Sequence, residues 1–340
     1  MTESKAWIAG CAGQRLTADE KAFFADERPW GFILFGRNVA EASQLGDLVA
    51  ELKAIASRPN PPIFVDQEGG RVQRLRPPLA PLYPPGGVLG RLYAADAEAG
   101  ERAAWLQGRL IAADLQRYGI NADCLPCLDV PAVGSHSVIG ERAYAGDPAV
   151  VARLGRLAAE GLMAGGVLPV MKHLPGHGRG NADSHLEMPV VEAPLCELEK
   201  TDFAPFTALR DLPCAMTAHL LFTAIDPDKP ATLSKKVIGD VIRGRIGFDG
   251  LLMTDDMSMK ALRGELGDLA GQALAAGCDM VLHCNGDMAE MRAVAQSVVP
   301  LAGEAKRRAE AAESGLAAGP APIEEAILRD EFAGLLAVAV

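Results

Sequence analysis

Short apolar runs alternate along the whole chain with longer stretches of helical period, a pattern that predicts eight strands separated by helices. Trp7-Ile8-Ala9-Gly10 reads as the first strand, Trp30 to Phe35 as the second and Pro62 to Asp66 as the third. Between them, Thr17 and Glu20 stand at capping-box spacing, and Leu45, Leu48, Val49, Leu52 and Ala56 share one helix face. One long helix is predicted from about Leu89 to Tyr118, ended by Gly119, with a fourth strand from Ile120 to Asp129. Asp147-Pro148 supplies an N-cap and an N1 proline to a helix burying Val151, Leu154, Ala158, Gly161 and Leu162. The fifth strand is Val167 to Met171, and a helix from Glu197 to Leu209 follows. Strands from Cys214 to His219, Leu251 to Asp255 and Asp279 to His283 complete the set, with a Ser234-capped helix ending near Gly247.

Parallel strands need such helical crossovers, and a (β/α)8 barrel needs about 250 residues, which this chain exceeds. The fold predicted is therefore α/β: a single (β/α)8 TIM-type barrel over residues 1–300, with extra C-terminal helices over 301–340 packed on it. A doubly wound open sheet is the alternative, but no Gly-x-Gly-x-x-Gly follows the first strand and no phosphate loop occurs. Asp66, Asp129, Lys172-His173, His219, Asp255 and His283 fall at the C-terminal ends of six of the eight predicted strands. In a barrel that is the face on which sites are built.

Composition narrows the class. Of the 340 residues 49% are hydrophobic and 23% charged, the make-up of a globular protein with a substantial core. The net charge of −11 without a basic block argues against nucleic acid or an anionic membrane as partner. No apolar run reaches about 18 residues, so no transmembrane helix is expected. The N-terminus enters the first strand without a signal-peptide core, and the seven cysteines, several in apolar runs, read as reduced thiols; a cytoplasmic protein is expected. Cys124-Leu125-Pro126-Cys127 lacks the second cysteine pair that zinc usually takes and lies in a strand-like run, so it reads as packing.

The densest chemistry is Lys172-His173-Leu174-Pro175-Gly176-His177-Gly178-Arg179-Gly180-Asn181-Ala182-Asp183-Ser184-His185. Asp183 and His185 at i, i+2 have the form of an acid/base histidine with an orienting carboxylate, or of a loop histidine held by an Asx-type turn. The three histidines also suggest a metal, against which stand the glycine-rich loop and the cation Lys172. At the seventh strand Asp255-Asp256 offers a carboxylate able to attack an acetal carbon; alternation sends only one of the two into the mouth, and the sequence alone does not choose.

Lys172 to Gly178 followed by Asp183-Ser184-His185 resembles the signature of glycoside hydrolase family 3, and more narrowly of the bacterial β-N-acetylglucosaminidases of peptidoglycan recycling. Gly31-Phe32-Ile33-Leu34-Phe35-Gly36-Arg37-Asn38, Val65 to Arg74, Val138-Ile139-Gly140-Glu141-Arg142 and Thr254 to Met259 match the same family in the same order. The resemblance implies a retaining exo-acting enzyme removing terminal N-acetylglucosamine from 1,6-anhydro-muropeptides in cell-wall recycling. By it, Asp255 matches the nucleophile, His185 the acid/base and Asp183 its partner, while Asp256 is structural. Asp66, Arg74, Arg142, Lys172 and His173 match residues that hold sugar hydroxyls. His177 is read as an orienting residue, His219 and His283 as core or rim histidines, and Arg37 and Glu68 as ion-paired supports. No metal or organic cofactor is expected, and the partner is an oligosaccharide met by a monomer.

If Lys172 and His173 are both to face a sugar, strand alternation must fail between them, and a cis non-proline bond would do that. Phosphorolysis on the same barrel, a wider β-glycosidase, assistance by the substrate's acetamido group, a metal-dependent hydrolase and a non-catalytic sugar-binding barrel remain as alternatives.

Overall fold

A computed structural model of the chain describes residues 4–132, 134, 137–182, 184, 186–316 and 319–337. Eight parallel strands close a barrel: β1 (Lys5–Gly10), β2 (Pro29–Leu34), β3 (Ile63–Val65), β4 (Ala122–Asp123), β5 (Leu168–Leu174), β6 (Cys214–Thr217), β7 (Leu251–Asp256) and β8 (Met280–His283). Each pairs with its sequence neighbours, and β8 returns to β1 with Trp7 opposite Val281 and Ala9 opposite His283.

Period-two alternation divides the apolar runs between two cores. Ile8, Ile33, Phe64, Val170, Met216, Met253 and Leu282 fill the barrel interior. Their neighbours Trp7, Phe32, Val65, Met171, Ala215, Leu252 and Val281 face outward against the helices. Both strand faces are covered, which explains why the runs are almost uniformly apolar.

The covering helices are α1 (Ala18–Glu27), α2 (Ala42–Ala56), α3 (Gly86–Ala95), α4 (Ala97–Gln116), α5 (Pro148–Ala164), α6 (Leu195–Lys200), α7 (Ala204–Ala208), α8 (Leu266–Ala276) and α9 (Met288–Ser297), with a wide π-type turn segment at Val237–Ile246. The capping box at Thr17 and Glu20 forms, and the Ser234 hydroxyl accepts from the Val237 N–H at 3.1 Å. No helix among the described residues is long and apolar enough to cross a membrane.

Four expectations need correction. The long helix from Leu89 to Tyr118 is two helices, because Asp96 takes extended backbone and its carboxylate caps the Ala99 N–H, starting α4 afresh. The helix from Glu197 to Leu209 is also two, α6 and α7, interrupted at Thr201-Asp202-Phe203; Pro205 has no N–H and sits only in the first turn of α7. The fourth strand shortens to two residues, Ala122 and Asp123; beyond them the chain passes the cis Leu125-Pro126 bond and stays tied to β5 less regularly, through the Leu125 and Pro126 carbonyls and the Leu128 N–H, with Cys127 opposite Lys172. The fifth strand, conversely, runs on through Lys172 and His173 to Leu174. Two small sheets lie outside the barrel: Gln67–Gly69 with Val72–Gln73, antiparallel, and Val190–Val191 with Leu221–Phe222, parallel. They are too short to show any sequence period.

Two further helices follow, α10 (Gly303–Leu316) and α11 (Glu325–Ala337). Ala309, Ala312 and Leu316 of α10 join the interior apolar cluster beside Trp30. Glu313 accepts from the Trp30 indole N–H and from Arg58, each at 2.5 Å. Helix α11 packs on α4, where Arg329 reaches the fully buried Asp114 at 2.6 Å and Arg102 pairs with Glu331 through two hydrogen bonds.

Candidate functional site

The hairpin after β3 brings three charged side chains to the barrel mouth. Gly69 and Gly70 turn it with φ of +108° and +57°, and a Cβ on Gly69 would stand 2.3 Å from the Pro84 carbonyl oxygen, so only glycine fits. Gln67 rigidifies the turn: its side-chain oxygen accepts from the Arg74 and Leu75 N–H groups, each at 3.0 Å. Asp66 and Glu68 then converge on Lys172 of β5, whose Nζ lies 2.9 Å from Asp66 Oδ1 and 2.7 Å from Glu68 Oε1. Arg74 donates to the other Asp66 oxygen at 2.9 Å, and Arg142 grips Glu68 through two bonds of 2.9 and 2.7 Å.

Lys172 and Glu68 are buried and Asp66, Arg74 and Arg142 half-buried, and such charges are stable only because they alternate in sign. Burial opposes ionisation of Glu68, but Arg142 and Lys172 outweigh it and pull its carboxyl down to about 2. Asp66 is likewise held well below the carboxylate range by Lys172 and Arg74 against its burial. Burial works against the Lys172 cation too, yet Asp66 and Glu68 keep its pKa above the ordinary lysine value.

The second group centres on Asp129, which is fully buried. It accepts from His173 Nδ1 at 2.7 Å and from the backbone N–H groups of His173 at 3.2 Å and His177 at 2.7 Å. A carboxylate on Nδ1 fixes the proton there and leaves Nε2 as the ring's other atom. The Lys172-His173 peptide is cis, as alternation demanded: Lys172 reaches Asp66 and Glu68 while the adjacent His173 reaches Asp129. His177, edge-on to His173 at 5.6 Å between ring centres, is pressed by burial down to about 4 and is neutral near pH 7.

Across the mouth, Asp255 and Asp256 end β7 with different fates. The Asp256 carboxylate is consumed locally by the Ser258 N–H and hydroxyl and the Cys284 N–H, at 3.1, 2.7 and 3.2 Å. Among the described residues Asp255 takes one backbone bond, from the Asp256 N–H at 2.8 Å. Burial opposes its ionisation, but His219, His173, that N–H and Lys172 together hold the carboxyl below its ordinary range. His219 is a buried spacer, fixed between the Thr232 hydroxyl at 2.7 Å and the Asp256 carbonyl at 3.0 Å. His283 is fully buried, with Glu290 at 3.7 Å.

The structure therefore brings together Asp66, Arg74, Arg142, Lys172, His173 and Asp255 at one mouth. Asp183 and His185 lie outside the described residues. Among the described residues Arg37 has no carboxylate partner, unlike the ion-paired support expected; its guanidinium donates to the Cys11 and Cys284 carbonyls and lies over Phe35. Glu68 matters more than the sequence indicated, because it ties Lys172 to Arg142. All seven cysteines are free. Cys124 packs in the barrel interior, and Cys127 lies 3.4 Å from Asp129. Among the described residues, Cys127, Asp129 and His173 form the one set whose donor atoms, within 4.8 Å of each other, could hold a metal, but both Asp129 oxygens already serve His173 and His177.

Residues 7–314 match the family described as glycosyl hydrolase family 3 N terminal domain. The chain belongs to glycoside hydrolase family 3. A Bordetella pertussis relative named beta-hexosaminidase is 39% identical over 283 residues, 82% of this chain and 80% of its own length. The beta-hexosaminidase of Alkalilimnicola ehrlichii is 41% identical over 282 residues, 82% of this chain and 80% of its own length. Among solved structures, NagZ from Neisseria gonorrhoeae in complex with N-trifluoroacetyl-D-glucosamine superposes with a TM-score of 0.88 at 34% identity, over 98% of each chain. As a member of family 3, the chain is a glycoside hydrolase, and the ion ladder and Asp255 stand where a barrel of this type receives its substrate.

Proposed function

We propose that the chain is a retaining exo-β-N-acetylglucosaminidase that removes terminal N-acetylglucosamine from 1,6-anhydro-muropeptides in cell-wall recycling. The observation that carries the reading is Asp255: a half-buried carboxyl at the barrel mouth, held below its ordinary range, with one backbone hydrogen bond among the described residues, facing the ladder formed by Asp66, Lys172, Glu68 and Arg142. An ionised carboxylate with few partners is a competent nucleophile toward an anomeric carbon. Asp255 attacks that carbon as the glycosidic bond breaks, His185 delivers a proton to the leaving oxygen, and Asp183 orients His185. Water then attacks the glycosyl ester, with His185 as base. Asp66, Arg74, Arg142, Lys172 and His173 bind the sugar hydroxyls; the short charge-assisted bonds among them pre-set their geometry.

A beta-hexosaminidase name on relatives near 40% identity and the bound N-acetylglucosamine analogue of the Neisseria gonorrhoeae protein support this substrate class. The catalytic unit is residues 1–300, with 301–340 as its appendage, and the enzyme works in the cytoplasm as a monomer without metal or organic cofactor.

The test is hydrolysis of 4-nitrophenyl N-acetyl-β-glucosaminide by wild type and Asp255→Ala. Turnover should fall by on the order of 10⁴-fold or more in the variant, and a 2-fluoro sugar should label Asp255 in mass analysis of the wild type. Wild-type rates in Asp255→Ala, or label on another residue, refute the assignment.

A further inference from the structure

The connection that leaves the mouth after β5 is fastened at its start from two sides. Gly178 lies flat on the segment after β4: a Cβ there would stand 1.9 Å from the Val130 carbonyl oxygen, and the Gly178 carbonyl accepts from the Ala132 N–H at 3.1 Å. On the other side Gly176 rests against Asp202, to whose Cβ its own would come within 3.0 Å. Arg179 then reaches to the interruption between α6 and α7. Its Nε donates to Asp202 Oδ2 at 2.7 Å, and its Nη2 lies 3.1 Å from Thr201 Oγ1 and 2.9 Å from Glu197 Oε1. The Asp202 side chain is only 1% exposed, and Thr201 and Arg179 are its hydrogen-bond partners among the described residues.

Further along, the Asn181 side chain accepts from the Val190 N–H at 2.8 Å. The Ser184 carbonyl accepts from the Ala261 N–H at 3.1 Å, in the loop that follows Asp255, and its hydroxyl sits 3.3 Å from His177 Nε2. The chain is thus tied before position 183 and again between positions 183 and 185. Apolar packing would anchor a surface turn as well as a buried ion pair does, for replacing such a pair by apolar residues is often neutral or stabilising. What a guanidinium fork adds is direction, since its donors fix an angle as well as a distance.

We infer that Arg179 is a positioning residue for proton transfer: its ion pair with buried Asp202 sets the position and heading from which the chain carries Asp183 and His185 to the leaving group. This rests on the assignment of those two residues under the proposed function. Asp183 follows Arg179 by only four positions in the chain, a reach of about 14 Å at full extension, so an error in heading at the anchor persists at the end. A misplacement of about 1 Å is enough to cost on the order of 100-fold.

The experiment compares kcat/KM, which reports the first bond cleavage, for a methyl and a 2,4-dinitrophenyl N-acetyl-β-glucosaminide. The methyl leaving group requires a delivered proton and the dinitrophenolate does not. Arg179→Met should lose on the order of 10- to 100-fold on the methyl glycoside and less than about threefold on the dinitrophenyl one. Arg179→Lys should recover part of the loss, and Asp202→Asn, equal in shape, should repeat the pattern and keep the test usable if the methionine variant fails to fold. Equal losses on both glycosides, or no loss on either in a variant that melts like wild type, overturn the inference. A wild type that cleaves neither glycoside overturns the function reading itself, whereas an active wild type with uniform losses in the variants overturns only the role of Arg179.

Discussion

At the N-terminal end of the barrel Asp279 is met by Arg243 at 2.7 Å, by Arg308 of α10 at 3.0 Å and by the Leu252 N–H at 2.9 Å. At the C-terminal end Lys172 is met by Asp66 and Glu68, and these in turn by Arg74 and Arg142. Both ends bury ions, but their accounts differ. Around Asp279 the carboxylate is saturated by partners from three segments, and the cluster closes on itself. At the mouth, among the described residues, Lys172 spends two of its three donors on carboxylates, and Asp255 keeps a carboxylate with one backbone bond. A closed ion cluster has no donor or acceptor left for a ligand; the cluster at the mouth, among the described residues, has both.

The largest test of that contrast is Lys172→Met. It leaves Asp66 and Glu68 buried with half their compensation removed, so it should cost about 3–5 kcal/mol in urea unfolding and abolish glycosidase turnover together. At the opposite end Asp279→Ala should cost a similar about 3–5 kcal/mol by stranding Arg243, yet leave kcat/KM at 25 °C unchanged in the folded fraction. If Asp279→Ala lowers kcat/KM as much as Lys172→Met does, the division between the two ends is wrong.

The pH dependence separates them further. His177 carries a folded pKa of about 4 against 6.5 for a free imidazole, so its neutral form is the one the fold favours. Its contribution is complete above pH 6.5 and is lost as pH falls towards 4, on the order of 3 kcal/mol in all. Glu68, held at about 2 against 4.5, contributes in full above pH 4.5 and loses its share as pH falls from there towards 2. Melting temperatures should therefore fall in two stages on acidification, and His177→Gln should flatten only the stage between pH 6.5 and 4. An unchanged profile in His177→Gln would contradict the neutral, buried ring. The smallest effect belongs to the barrel floor: Glu313→Gln keeps an acceptor for the Trp30 indole but removes the charge beside Arg58, and should lower stability by about 1 kcal/mol without touching KM.

How much of this could be read in advance varied with the range of the forces involved. The barrel was legible because most strands announce themselves as short apolar runs and most of the crossover helices as longer stretches of helical period. Asp255 was legible only as one of two candidates; its distinction from Asp256 came with the Ser258 and Cys284 bonds, the second of them from a different strand's end. Glu68 was underrated because its partners, Arg142 and Lys172, lie 74 and 104 positions away and no local spacing links them. The break at Asp96 was missed although Asp96 is a good N-cap residue, because the apolar period continues across it and masks the cap.

The order of apolar and polar runs in the chain determined the eight-fold alternation, the two-sided burial of the strands and the rim on which polar side chains gather, since these follow from periodicity and from the need to satisfy backbone groups. Tertiary structure decided which charges meet. Asp66 with Lys172, Asp129 with His173 and Arg179 with Asp202 are choices among many possible pairs, and only a closed barrel, by fixing distances between segments far apart in sequence, selects one.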